Sequence, residues 1–202
     1  MEKKKGTNIV WSSDQVSYEN RCKIFGQKGL VVWFTGLSGS GKSAIAIELQ
    51  KRLTEEGFAG YRLDGDNIRH GLNADLGFGE ADRDENIRRI AEVAALFQDA
   101  GLVTLVSFIS PYEKMRSFAK SKTREDSFFL VYVKASLETC INRDVKGLYK
   151  KALAGEISDF TGVSAPYEEP EHPDLILDTD TITLEECVKT LFDIISKKVR
   201  IG

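Results

Sequence analysis

The chain contains no long apolar run. None of its segments approaches the ~20 consecutive apolar residues that a bilayer-spanning helix needs, so no membrane association is expected. Cysteine is scarce. Cys22, Cys140 and Cys187 are three in 202 residues. They are scattered and lack metal-ligand spacing, which suits a reducing compartment and predicts a cytoplasmic protein. Cys187 falls in an apolar helical pattern and reads as core, whereas Cys22 lies in a less regular stretch. Excess charge of either sign is also missing. Lys and Arg number 28 against 31 Asp and Glu, a net charge of −3. That argues against general attraction to nucleic acid, so a polyanionic ligand must be met by a local basic cluster. There is no internal repeat and no low-complexity tract. The opening Met1-Glu2-Lys3-Lys4-Lys5-Gly6 is basic with no apolar segment behind it, so it does not read as a secretory signal. The two histidines, His70 and His172, form no pair in sequence and read as surface or hydrogen-bonding residues.

What is present begins at residue 36. Gly36-Leu37-Ser38-Gly39-Ser40-Gly41-Lys42-Ser43 is a complete G-x-x-x-x-G-K-[ST] phosphate-binding loop. It follows an apolar run, 30–35, and opens a helix-like one. Glycines let backbone N–H groups converge on phosphate oxygens, and the helix behind them directs its partial positive charge at the same anion. Lys42 is expected to reach the β- and γ-phosphates, and the Ser43 hydroxyl to sit on Mg²⁺.

From residue 30 onward, strand-length apolar runs alternate with helical periods. Strands are predicted over 30–35, 60–64, 102–109, 128–133 and 174–178. Helices are predicted over 42–56, 82–100, 112–122, 136–143 and 183–199. Leu184, Cys187, Val188, Leu191, Phe192 and Ile195 form one apolar stripe. This alternation predicts an α/β fold, a mostly parallel central sheet flanked by helices, with ligands at the carboxyl ends of the strands. Residues 1–28 read as a polar, irregular N-terminal arm, and 29–202 as the domain. Residues 144–172 are charged and Gly/Pro-punctuated. They read as a lid over the phosphates, with a solvated excursion as the alternative. Tyr149 and Phe160 have little apolar company there, which favours the lid.

A second site follows the second strand. Asp64 and Asp66 are two apart at a strand end, so extended backbone aims both carboxylates the same way. Beside a phosphate loop, one carboxylate suits the water shell of Mg²⁺ and the other the proton of an attacking hydroxyl. Asp-Gly-Asp-Asn is also good turn chemistry. Asp82 reads as a helix N-cap with Glu85 as its capping-box partner. Arg83 and Asn86 share one face of the first turn and extend the buried side toward the ligand edge, a place where arginine makes sense opposite an anion. Arg88 and Arg89 read as solvated. Phe78 either stacks on a base or fills a hole in the core, and spacing alone leaves this open. Ser110 could contact substrate or cap the following helix, the cap being the simpler reading.

Together these motifs resemble the adenylyl-sulfate kinase (APS kinase) family, which phosphorylates adenosine 5′-phosphosulfate (APS) on its ribose 3′-hydroxyl. The resemblance rests on the phosphate loop, the Asp64–Leu72 run, Asn73 to Phe78, and Asp82-Arg83 with Glu85 to Arg89. It also rests on Phe108 to Tyr112, Lys146 to Lys151, Phe160-Thr161-Gly162, Pro166-Tyr167-Glu168 and the N-terminal Thr7 to Trp11. It implies a P-loop kinase fold using ATP and Mg²⁺, a homodimer, and a functional link to ATP sulfurylase. Gly36, Ser38, Gly39, Ser40, Gly41, Lys42, Ser43 and Ala44 are expected to hold the ATP phosphates, with Arg143 beside the nucleotide. Asp66, Asn67, Ile68 and Arg69 are expected to contact APS. Asp66 would orient or deprotonate the 3′-hydroxyl, and Asp64 would serve the metal through water, making Lys42, Asp64 and Asp66 the catalytic set. Phe78 and Phe160 would stack on the APS adenine, and Arg83 and Asn86 would bind the phosphosulfate. Ile109 and Ser110 would line the pocket, and Lys146 would close over it. Two positions depart from the family. Ala44 stands where Thr is frequent. Glu113 stands where Arg is frequent, with Lys114 and Arg116 expected to restore some positive charge. A kinase for another small hydroxyl compound, a nucleotide-sensing P-loop protein and an inactive partner of a sulfurylase are the rival readings.

Overall fold

The computed structural model describes residues 9, 10, 12 and 15–201. The remaining part of the predicted arm, including Thr7, Asn8 and Trp11, lies outside the described residues. Five strands form one sheet: β1 Leu30–Thr35, β2 Gly60–Asp64, β3 Val103–Ser107, β4 Phe128–Lys134 and β5 Leu175–Asp178. Their spatial order is β2-β3-β1-β4-β5 and every pairing is parallel. All six residues of β1 are buried, as a strand covered on both faces requires.

Eight helices accompany them among the described residues: α1 Tyr18–Phe25, α2 Lys42–Glu55, α3 Gly65–Arg69, α4 Glu80–Asp99, α5 Glu113–Lys122, α6 Leu137–Arg143, α7 Leu148–Leu153 and α8 Leu184–Val199. Alternate residues of the three central strands β3, β1 and β4 feed opposite cores. Val32, Phe34, Leu105, Val131 and Val133 pack with Leu49 of α2 and Leu191 of α8. Val31, Trp33, Val106 and Leu130 pack with Ile90 and Ala94 of α4 and Met115 of α5. The stripe of α8 is buried at Cys187, Val188, Leu191, Phe192 and Ile195, while Leu184 is exposed. No described helix is long and apolar enough to cross a membrane.

Four expectations are corrected. The arm is not irregular throughout: Ser17 caps α1 by accepting from the Asn20 N–H, Gly26 ends it in the left-handed region, and Cys22 is buried. This helix has one buried apolar residue, too few for a periodic signal. Gln27 is fully buried and does what apolar contacts do elsewhere. Its amide donates to the Ala59 and Gly101 carbonyls at 3.0 and 2.9 Å and accepts from the Ala59 N–H at 2.8 Å. Second, the capping box is not at Asp82. Helix α4 starts earlier, after Gly79, and the Asp82 carboxylate accepts from the Gly77 N–H. The reciprocal box forms instead at Thr183 and Glu186. Third, Arg89 is not simply solvated, because it binds Asp75, Glu85 and the Leu72 carbonyl. Fourth, the 144–172 stretch has its own helix, α7. Tyr149 and Phe160 have company after all, in a small cluster with Leu37, Ala135, Cys140, Ile141 and Val163.

Candidate active site

The three glycines of the phosphate loop have φ of +146° (Gly36), +77° (Gly39) and +103° (Gly41), conformations that side chains resist. At Gly36 a Cβ would fall 2.3 Å from the Val133 carbonyl oxygen, so the loop folds this way only because that side chain is missing. Helix α2 begins on Gly41 with no side chain capping it. Its first N–H groups therefore remain available to an anion. Lys42 is buried and donates to the Gly36 and Leu37 carbonyls at 2.9 and 2.7 Å. Loss of water pushes its pKa down to about 8, against the opposing pull of Cys140, Asp64 and Asp66. Ser38 is held from beneath by the Tyr149 hydroxyl, which donates to its carbonyl at 2.9 Å. Ser40 is buried, its hydroxyl without a hydrogen-bond partner, and its carbonyl accepts from Thr179 Oγ1. Ala44 is exposed, so the absent Thr hydroxyl leaves no buried gap. Arg143 braces the outer side of the loop, donating to the Thr179 carbonyl at 2.7 Å and weakly, at 3.4 Å, to that of Gly39.

Asp64 joins this loop to the second site. Its Oδ2 accepts from the Ser43 hydroxyl at 2.8 Å and lies 2.8 Å from Arg62 Nη1. Its Oδ1 accepts from the Asp66 N–H at 3.1 Å, capping α3. The chain turns into that helix directly after Asp64, so the extended geometry expected for the aspartate pair is not formed. Asp64 is buried, whereas Asp66 is exposed in the first helical turn and ion-paired to Lys146 of the 144–172 stretch. The two carboxylates thus sit in different surroundings, which suits different tasks. Asn67 is exposed beside Asp66, and Ile68 is half-buried against the α4 core.

Phe78 is 68% exposed. It fills no hole in the core. The Arg69 guanidinium lies 4.3 Å from its ring centroid while donating to the Leu76 and Gly77 carbonyls. Arg83 donates to the Phe78 carbonyl at 2.8 Å and also binds the Asp159 carbonyl, next to Phe160. It therefore ties the Phe78 turn to the 144–172 stretch. Phe160 packs edge-on against Tyr149, ring centroids 5.0 Å apart. Asn86 is buried and accepts from the amide of buried Asn73 at 2.8 Å.

Ile109 is half-buried, and its carbonyl accepts from Thr35 Oγ1 at 2.7 Å. Ser110 is not a helix cap. Its φ is +39°, it is buried, and its hydroxyl accepts from Trp33 Nε1 at 3.0 Å. The cap of α5 comes from 55 residues away: Glu168 accepts from the Glu113 N–H at 2.7 Å. Nor do Lys114 and Arg116 supply free positive charge in place of the family's arginine. Lys114 pairs with Asp84 and Glu80, and buried Arg116 with Glu113 and the Ser110 carbonyl.

Sequence reasoning missed Thr35, Arg62, Asn73, Tyr149 as a support, Thr179 and Glu168. Arg62 carried a readable signal, two residues before Asp64 and so on the same strand face, while Asn73 and Glu168 fell within runs that carry the family resemblance but had no role assigned.

Residues 28–178 match the family model described as Adenylylsulphate kinase. A probable adenylyl-sulfate kinase of Halalkalibacterium halodurans is 57% identical over 185 residues, 92% of either chain. An adenylyl-sulfate kinase of Oceanobacillus iheyensis is 51% identical over 194 residues, 96% of this chain and 98% of that one. Among solved structures, the APS kinase CysC of Mycobacterium tuberculosis in complex with AMPPNP and APS is similar to this fold. The TM-score is 0.80 at 48% identity, covering 84% of this chain and 98% of that chain.

Proposed function

The chain belongs to the adenylylsulphate kinase family, and we propose how its residues divide the transfer of the ATP γ-phosphoryl group to the 3′-hydroxyl of APS. The products are ADP and 3′-phosphoadenosine 5′-phosphosulfate. The observation that carries this reading is the double role of Asp64. One of its oxygens accepts from Ser43 on the donor side and the other from the Asp66 N–H on the acceptor side. Donor loop and acceptor helix are thereby held in one rigid unit.

The glycine loop and the uncapped start of α2 hold the β- and γ-phosphates. Lys42 leaves the Gly36 and Leu37 carbonyls for phosphate oxygens, its charge favoured once an anion faces it. The Ser43 hydroxyl and the Asp64 carboxylate, 2.8 Å apart, are few, hard oxygen donors that suit Mg²⁺, Ser43 directly and Asp64 through water. When bound, the ion neutralises charge on the β- and γ-phosphoryl oxygens. Asp66 gives up Lys146 and accepts the proton of the 3′-hydroxyl as the O3′–P bond forms and the bond to the ADP oxygen breaks. Freed Lys146, with Arg83, then faces the anionic groups. Phe78, backed by Arg69, and Phe160, backed by Tyr149, form the two walls for adenine. Asn67, Ile68, Asn86 and Ile109 line the acceptor pocket, and Ser110 shapes it from below. Catalysis on this account is mostly positioning and charge neutralisation.

Measuring ADP release with APS, AMP, adenosine, gluconate or no acceptor tests the reading. Release is expected to depend on APS, and equal rates with all acceptors would overturn it. Three further parts of the reading have their own checks. A homodimer is read by light scattering. The functional link to ATP sulfurylase is read as faster APS turnover in the coupled pair. A cytoplasmic location is read by fractionation.

A further inference from the structure

Arg62 has no part in the account above, yet its guanidinium is ion-paired to the oxygen of Asp64 that also receives the Ser43 hydroxyl. Its side chain is only 19% exposed. Arg62 and Asp64 occupy alternate positions of β2, opposite Leu63, which packs into the α4 core, and on the side where Asp64 meets Ser43 of α2. The strand geometry thus holds a cation against the carboxylate meant for the metal. The other acidic group is treated alike, since Asp66 is paired with Lys146. Lys42, Arg62 and Lys146 give three positive charges around two carboxylates. Among the described residues no group of three or more His, Cys, Asp or Glu could hold a metal.

We propose that Arg62 withholds Asp64 from bare divalent cations, so that the metal enters this site only together with the nucleotide. The inference rests on the reading of Asp64 and Ser43 as the metal's place. A bare divalent cation meets net positive charge here. It must either displace a largely buried guanidinium from its partner or sit within a few ångströms of it. A metal–nucleotide complex carries net negative charge and brings phosphate oxygens as further ligands, so the same surroundings attract it. Arg62 is then a positioning residue that sets the order of entry, and it touches neither substrate. Its effect is to prevent a metal ion from occupying the loop in a geometry that phosphates did not select.

The test is Mn²⁺ binding without nucleotide, followed by electron paramagnetic resonance and calorimetry on the full chain. Wild type is expected to bind no Mn²⁺ in the low-millimolar range. Arg62→Met is expected to gain a site at least tenfold tighter, Arg62→Lys to restore exclusion, and Arg62→Met/Asp64→Asn to lose the new site. If Arg62→Met does not fold, Arg62→Gln reads the same quantity. A folded Arg62→Met or Arg62→Gln variant that binds bare Mn²⁺ no better than wild type overturns the proposal, as does tight Mn²⁺ binding by wild type. The underlying reading fails separately: if Asp64→Asn leaves Mn²⁺–AMPPNP affinity unchanged, Asp64 does not serve the metal. If Asp64→Asn weakens that affinity while Arg62→Met gains nothing, only the Arg62 inference falls.

Discussion

Lys42 combines burial with two carbonyl partners, and its pKa is pushed down to about 8 by lost hydration. An arriving phosphate must raise that value. Above pH 8, where the free protein has released this proton, ATP binding should take one up, and ATP affinity should fall as pH rises through 8. Calorimetry in buffers of different ionisation enthalpy reads the proton directly, and no uptake at pH 8.5 would contradict this. Lys42→Ala removes the charge that the proposed function sets against the transferred group and should lower kcat by about 10²-fold or more, with the melting temperature little changed. Arg83 has a different signature. Its hydrogen bonds run to the Phe78 turn and to Asp159 and Thr161 of the 144–172 stretch. Arg83→Ala should raise KM for APS well above any change in KM for ATP, and equal changes in steady-state kinetics would remove it from the acceptor site.

At the scale of elements, the active edge depends on long-range ties between short pieces. The Glu168 carboxylate caps α5, and the Glu168 N–H donates to the Pro111 carbonyl at 2.8 Å. The far end of the 144–172 stretch is thus fastened to the turn that presents Ile109 and Ser110. Glu168→Ala should cost about 1 kcal/mol, typical of a lost cap, and lower the melting temperature by roughly 2–4 °C in a chain of this size. It should also raise KM for APS, because the 109–111 turn loses its brace. A melting shift with unchanged KM would show that the tie serves stability alone. The near end of this stretch is organised by Asp144, which accepts from the Tyr149 and Lys150 N–H groups at 3.0 Å and so starts α7.

At the scale of the whole molecule, the sheet separates two cores, and the ends of its central strands carry the candidate site. Strand β1 lies between β3 and β4, so the chain leaves it at the point where connections diverge to either side, a natural crevice for a ligand. The stretch before β1 is locked to this body by Gln27, whose amide meets three backbone groups from the two neighbouring loops. Gln27→Ala would leave buried backbone groups unpaired. It should destabilise by about 1–3 kcal/mol, read as a lowered midpoint in urea, while kcat stays near the wild-type value. A fully stable variant would show that water replaces the amide without loss.

The alternation of apolar runs with helical periods determined the five strands and their long helices, because burial on both faces leaves a local, periodic trace. The phosphate loop was equally legible, since its glycines answer to local sterics. Helices α1, α3 and α7 left no such trace: they are short and bury one, none and two side chains respectively, too few to form a stripe. The divergence of Asp64 and Asp66, the burial of Ser110 beneath Trp33, and the cap of α5 by Glu168 were decided only in three dimensions. Each depends on contacts between residues whose separation along the chain carries no signal, or on a turn whose alternatives differ by a few hydrogen bonds. Composition and order thus determined which chemistry this edge can hold. Packing decided which charges are already paired there, and so which of them a ligand must displace.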